Sequence, residues 1–480
     1  MRRRWGWFGS KTERRTRTAL SPSVFLAVSS GVAVAALTWW VLWLLFGATD
    51  ARPDRLDLAE IALWVTAGVG VAVALVLAAR RQRDHDRGRF SELFGAAALQ
   101  LGAADVAVRL AGVYAMAGVA DEFPERARRQ QCIDVLCAYL RLPYAAKEGV
   151  NHLVSRTERL EEDGAGVERV YHYRQNDRQV RDTIVRVIAE HLRDTAESSW
   201  SACDFDFTEA VLENADFQNA VFAGDSTRFT NTDFVASRVT SFEGARFIGR
   251  RVSFQGAAFR GRGVTFQHAR FQPQEADRAE PDGTAVSFAE ASFSCPTSFE
   301  SAEFSGARTT FDRATFANQR TNFGEVNFGS ALTSFGRVVF DGDRISFDSA
   351  EFSGTKVAFT GARFYAEGTS FDGTQLGARQ RWRSGGTQEI DFADAEYHGA
   401  VSFADAVFEA RSVCFTGGDF FGDISFRRAA LHAREVSFER PKAWVGTQFD
   451  WDDDPGAKPE NVKPEHWPPR PVSSQLEPLI

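Results

Sequence analysis

The chain has 480 residues and a formal net charge of −8, from 56 basic and 64 acidic side chains. That balance is too mild to create a global field toward nucleic acid or anionic lipid. The length holds about three domains, or fewer if one is a solenoid. The five cysteines (Cys132, Cys137, Cys203, Cys295 and Cys414) are scattered and odd in number. The spacing of Cys132 and Cys137 fits neither a zinc site nor a redox pair, so they read as free thiols in a reducing compartment.

The chain opens with a basic segment, residues 1–22, carrying Arg2, Arg3, Arg4, Lys11, Arg14, Arg15 and Arg17 against the single acid Glu13. The apolar run Val24 to Phe46 comes next, long enough to cross a hydrocarbon core of about 30 Å as a helix. The alternative, a signal peptide, has an apolar stretch of only about 7–15 residues. A second uncharged run, Ile61 to Ala79, completes the pattern expected of two membrane-spanning helices, 23–46 and 61–79, joined by a short external loop, 47–60. Arg52 and Arg55 in that loop are outweighed by Asp50, Asp54, Asp57 and Glu60, whereas Arg80, Arg81, Arg83, Arg87 and Arg89 come after the second run. The asymmetry predicts both termini in the cytoplasm of a bacterial cell membrane. Thr66, Gly70, Ala74 and Ala78 form a small-residue stripe suited to packing within the hairpin or between copies, which makes a homo-oligomer an open expectation.

Residues 80–198 switch to a helical period. Phe90 to Gly102, Asp105 to Ala120 and Pro124 to Arg141 read as amphipathic helices, with Pro124 in a first helical position. Residues 146–176 read as a long charged connection. A fourth helix over Asp177 to Thr195 puts Val180, Ile184, Val187, Ile188 and Leu192 on one face. Together they predict a small HEAT-like helical domain that caps the C-terminal part of the chain and holds it off the membrane.

That C-terminal part is a phenylalanine repeat. Of 42 Phe, 35 lie between Phe205 and Phe438. Phe323, Phe335, Phe347, Phe359 and Phe371 are twelve residues apart, and Phe328, Phe340, Phe352 and Phe364 run five behind, a series continued by Leu376. Such a beat dictates a solenoid whose units cannot bury their apolar face alone. Each unit is a triplet such as Thr333-Ser334-Phe335 or Ala362-Arg363-Phe364, whose outer residues share the inward face of a short strand. The expected core ladder comprises Phe247, Phe254, Phe259, Phe266, Phe271, Phe311, Phe316, Phe323, Phe328, Phe335, Phe340, Phe347, Phe352, Phe359, Phe364 and Phe371. Two double units give a coil of 24 residues, against 20 for strict five-residue units. Residues 239–438 then make about eight coils and roughly 40 Å of rod. Glycines two places after the second Phe of a unit (Gly249, Gly261, Gly306, Gly342 and Gly354) are expected to supply positive φ at the looser corners.

Two polar insertions, 272–284 and 377–389, interrupt the beat. The second holds Arg381, Trp382 and Arg383, an exposed aromatic between cations and a candidate interaction loop. The repeat ends near residue 440. Residues 441–480 hold eight of the fifteen prolines. Trp444, Phe449 and Trp451 are expected to cover the last coil, with a disordered tail beyond.

Gln100, Leu101 and Gly102, then Val108, Arg109, Leu110, Gly112, Val113 and Tyr114, then Val135 to Leu140 fall in the order of a motif block. Through them residues 24–440 resemble the membrane-anchored pentapeptide-repeat proteins of actinobacteria. Only six of the basic residues are lysine, a bias that fits a high-GC bacterium. The resemblance implies a mainly β fold: a right-handed quadrilateral β-helix over 199–440, built on an expanded 12-residue double unit. Two transmembrane helices and the helical domain precede it. Typical members repeat strict A(D/N)LXX units, where this chain uses phenylalanine and longer steps.

No GxxxxGK[ST], HExxH, GxSxG or CxxC motif occurs, so no catalytic or cofactor-binding set is expected. The function expected is a non-catalytic scaffold, bound to the bilayer through its two helices and presenting a cytoplasmic rod to an unidentified protein partner. The alternative is a DNA mimic that modulates a nucleic-acid enzyme such as a type II topoisomerase. Residues 201–440 carry 33 acids and 24 bases, a net of −9, where duplex DNA of the same length carries roughly 24 negative charges. Arg250, Arg251, Arg260, Arg262 and Arg270 add a basic group to the early coils. Direct nucleic-acid binding is not expected.

Overall fold

A computed structural model of the chain describes residues 36–37, 40–41, 44, 55–146, 155–162, 165–172, 176–273, 286–377 and 389–472. The chain divides into two units, 1–92 and 93–480. Helix α1 (Arg55–Leu101) contains the second apolar run. The first run lies almost wholly outside the described residues, as do several side chains of the second. Among the described residues no helix is long and apolar enough to cross a membrane.

In the second unit, α2 (Val106–Glu122) starts at Asp105, whose carboxylate accepts the amide of Ala107 at 2.7 Å as an N-cap. Helix α3 (Arg126–Leu140) is capped at Glu125, so Pro124 precedes the helix instead of occupying its first position. The expected connection at 146–176 contains an antiparallel hairpin, β1 (Ser155–Glu162) with β2 (Ala165–His172). Its apolar residues are too few to show a strand period through the charges. Helix α4 (Asp177–Leu192) buries Val180, Ile184, Val187, Ile188 and Leu192, the face expected of it. Gly112 of α2 faces the end of α1 so closely that a Cβ would sit 2.4 Å from the Leu101 amide nitrogen.

At the centre of the helical layer lies a buried ionic cluster. Asp177 receives Arg109 at 3.2 Å, Arg181 at 2.8 Å and the Tyr139 hydroxyl at 2.5 Å. Arg181 also donates to the carbonyls of Leu140 and Leu142, at 2.8 and 2.7 Å. Burying a carboxylate costs free energy unless it is paired and hydrogen-bonded, and here both conditions hold.

From Phe205 to Lys463 the chain forms a parallel β-solenoid of about 10 turns. Four stacks of short parallel strands, walls 1 to 4 in chain order, make each turn. Wall 1 runs in eleven strands from Phe205–Asp206 to Val462–Lys463, and wall 4 in nine from Val221–Phe222 to Ala430–Leu431. Walls 2 and 3 share the long strands Asp233–Ser241 and Ala258–Thr265, which continue round the edge between them. In the central coils register partners are 24 residues apart, as in Thr309, Thr333 and Val357 on wall 1 and Thr321, Ile345 and Thr369 on wall 3. The longer coil is therefore the one observed. The Cys203 to Phe222 triplets join the same stacks, as expected of a β-helix over 199–440, and the segment to Lys463 extends wall 1 beyond it.

The 12-residue beat is half a turn. Phe335 and Phe359 lie on wall 1 and stack at 4.8 Å with planes 3° apart; Phe323 and Phe347 stack on wall 3 at 4.7 Å. Across the interior Phe335 meets Phe347 edge to face, at 5.7 Å and 86°. Both arrangements suit the ring quadrupole, so each aromatic adds about 0.5–1.5 kcal/mol per pair to its area burial.

The corners differ from expectation in an informative way. At the tight corners a four-residue turn closes, as where Ala314 donates to the Phe311 carbonyl at 2.9 Å. Its third residue takes positive φ: 58° at Arg313, 57° at Glu325, 54° at Arg337, 56° at Ser349 and 64° at Gly361. That is the type II pattern, which ordinarily favours glycine. At the looser corners Gly261 and Gly306 have positive φ, but Gly249, Gly342 and Gly354 do not. These three are glycine for lack of room. A Cβ would lie 1.9, 2.0 and 2.1 Å from the carbonyl oxygens of Gly224, Asn318 and Ser330 on the preceding coil.

Both ends of the rod are closed. Gln130 of α3 donates to the Asp204 carbonyl and accepts the Asp204 amide, each at 2.8 Å, so one side chain satisfies an open strand edge. Arg126 to Asp225 and Arg141 to Asp206, both at 3.0 Å, reinforce the seam. At the far end Val462–Lys463 adds a strand to wall 1. Trp467 stands edge-on to Phe449 at 5.0 Å, with Trp444 and Trp451 beside it. The segment expected to be a disordered tail is therefore built into the cap as far as residue 472.

Candidate interaction surface

The sixteen ladder phenylalanines are all buried inside the rod. Arg381, Trp382 and Arg383 lie outside the described residues. The two insertions share an origin: both leave wall 4, after Phe271 and Leu376, and return to wall 1, at Val286 and Glu389. The five early arginines do not come together. Arg250 and Arg251 sit beside wall 1, Arg260 and Arg262 on the diagonally opposite edge between walls 2 and 3, and Arg270 on wall 4.

Wall exteriors are mostly small and polar. Wall 3 presents Ser298, Asn322, Ser346, Ser370 and Ser402 at successive coils. Several charges pair across coil steps, as in Arg313 with Glu290 at 3.3 Å, Arg363 with Glu396 at 3.4 Å and Arg428 with Asp405 at 2.8 Å.

One edge departs from this pattern. Among the described rod residues the exposed large hydrophobic side chains are Val239, Tyr365, Phe421 and Val445, exposed by 50, 41, 60 and 54%. All four lie on the edge between walls 2 and 3. Tyr365, His398, Phe421 and Val445 occupy successive coils at one position, immediately after the inward rings Phe364, Tyr397, Phe420 and Trp444. His398 stands between its neighbours, 5.1 Å from Tyr365 and 5.7 Å from Phe421.

One of these rings is held in place. The Tyr365 hydroxyl donates to Glu396 at 2.5 Å, a bond that raises its pKa above the usual phenol value. The His398 Nε2 lies 3.6 Å from Asp419. Presenting ordered aromatic groups to solvent is what a protein-binding edge requires, since large exposed apolar side chains gathered on one line mark contact surfaces. Sequence reading missed the stripe. Its only signal is the doublet, Phe364-Tyr365, Tyr397-His398 and Phe420-Phe421, in which the first residue faces in and the second out.

Among the described residues no group of three or more His, Cys, Asp or Glu is placed to hold a metal ion. Cys132 and Cys137 are pushed up to about 12 by burial, which keeps them as thiols. Three residues of the motif block have structural roles: Arg109 and Tyr139 serve the Asp177 cluster, and Gly112 permits the close approach of α1.

Fold and surface together define a repeat β-solenoid with a helical cap and one aromatic edge. No protein-family model, curated protein or solved structure matches the chain.

Proposed function

We propose that the chain is a membrane-anchored, non-catalytic scaffold of the pentapeptide-repeat kind, wound right-handed, whose cytoplasmic rod makes protein contacts through the edge between walls 2 and 3. One observation carries this reading: every exposed large hydrophobic side chain of the described rod lies on that edge. A repeat β-solenoid with a filled aromatic interior suits display, because its surface is rigid and regular while its core has no role but packing. Anchoring is supported by the two apolar runs and their arginine-rich flanks.

A photo-cross-linking amino acid placed at Phe421 of the full chain in its native membranes tests this. The reading predicts a discrete protein adduct from position 421 and none from Ser346 on the flat face of wall 3. Equal labelling at both positions, or none at either, would remove the edge as the contact surface. Alkaline carbonate extraction tests the anchor: the chain should stay with the membrane pellet, and release into the supernatant would refute it.

A further inference from the structure

The geometry points to a second copy of this chain, running antiparallel, as the occupant of the edge between walls 2 and 3. The inference rests on the reading of that edge as a contact surface and adds what covers it. The edge is not uniform along the rod. Its early coils carry Arg238, Arg260, Arg262 and Arg320, of which Arg260 pairs with Asp233 at 2.9 Å, whereas its later coils carry Asp341, Asp343, Glu367 and Asp423 with the single Arg344. The aromatic stripe lies wholly in the later half, from Tyr365 on. An edge basic at one end and acidic and aromatic at the other complements itself when turned end for end.

The coils can be paired one by one. Along this edge the first coil is covered by α4 and its seam, leaving nine, with Val239 on the first of these and Val445 on the last. A two-fold axis through the middle one places the coil of Asp341, Asp343 and Arg344 against its own copy. Asp341, Asp343 and Arg344 there meet their own equivalents, with Arg344 of each copy adjacent to Asp343 of the other, and all three side chains are exposed. One step out, Arg320 opposes Tyr365 and Glu367. Two steps out, the Ser294 to Pro296 coil opposes His398. Three steps out, Arg260 and Arg262 oppose Phe421 and Asp423. At the ends Val239 meets Val445. Arg320, Arg260 and Arg262 so placed each have a carboxylate and a ring opposite them, an arrangement that combines ion pairing with guanidinium stacking. Like charges meet only on the axis coil, where Arg344 of each copy lies beside the acids.

Eight coil steps of about 4.8 Å make a contact roughly 40 Å long. It is only one or two side chains wide, at the small end of specific interfaces. A reversible dimer of about micromolar affinity is expected, weakened by salt because its charges are at the rim of solvent.

The test uses the full chain in detergent, with self-association measured by sedimentation velocity. Asp423→Arg alone and Arg262→Asp alone should each weaken the dimer at least tenfold. Combined in one chain they should restore it to within about threefold, because each reversed charge meets the other across the two-fold axis. Asp341→Cys near the axis should form disulfide-linked dimers under mild oxidation, and Ser353→Cys on the edge between walls 4 and 1 should not. A chain that stays monomeric throughout, a dimer indifferent to the reversals, or a double variant no better than either single one would each overturn the inference. A photo-adduct of position 421 with a different protein would overturn it too, while leaving the scaffold reading intact.

Discussion

The helical cap and the rod are neighbours held together by opposite means. The cap is organised by buried charge: Asp177 has three donors, and Arg181 extends the network to three carbonyls. The rod is organised by rings, each packed on the next coil and edge-on to the far wall. A buried ionic cluster has one good arrangement and fails when a member is lost. A ring ladder has many equivalent members, so damage at one coil is shared with those above and below. The cap therefore fixes where the solenoid starts, and the rod can be long without further specification.

The largest effect that would break this contrast is in the rod. Phe335→Ala removes a ring touching Phe311, Phe323, Phe347 and Phe359, and should cost about 4 kcal/mol in a denaturant titration. Asp177→Ala leaves two buried arginines without their carboxylate and should cost about 3 kcal/mol, with the loss confined to the cap. Tyr397→Phe should act in the other direction. Tyr397 occupies a phenylalanine position on wall 2, and its buried hydroxyl has no partner among the described residues. Removing that hydroxyl should stabilise the rod by about 1–2 kcal/mol, read as a raised thermal midpoint.

The smallest effect sharpens the seam between the two regions. Burial, and then Glu213 of the first coil, push the Asp182 carboxyl up to about 6 from an ordinary 3.8. The folded state thus holds a proton that the unfolded state releases earlier, and stability falls as pH rises from about 4 to about 6. Asp182→Asn should remove that slope and stabilise the chain at pH 7. Because the side chain is partly solvated, the gain should be about 1 kcal/mol at most. A pH series of melting midpoints for both proteins checks it.

Much of the rod was legible because its signal is redundant. Phe323 to Phe371 state the period five times over, and the alternation in Thr333-Ser334-Phe335 assigns inside and outside. The corners were less legible for a physical reason. Positive φ at the tight turns falls on residues as different as Arg313, Glu325 and Ser349, because stacking against the next coil fixes the backbone whatever the side chain. Gly342 and Gly354 look like flexible corners in sequence and are instead close approaches, a distinction that only the neighbouring coil reveals. The edge stripe was hidden likewise, since a Phe-Phe doublet does not say that its second ring faces solvent. The Asp177 cluster joins residues 109, 139, 177 and 181, which no local pattern links.

Hydrogen–deuterium exchange on the full chain tests the division between cap and rod most directly, comparing the native protein with Asp177→Ala. The account predicts faster exchange in α2, α3, α4 and the first coil at Phe205 to Phe222, with amides from Phe311 to Phe371 as protected as before. Uniform loss of protection along the whole rod would contradict it, and would mean that cap and solenoid fold as a single cooperative body.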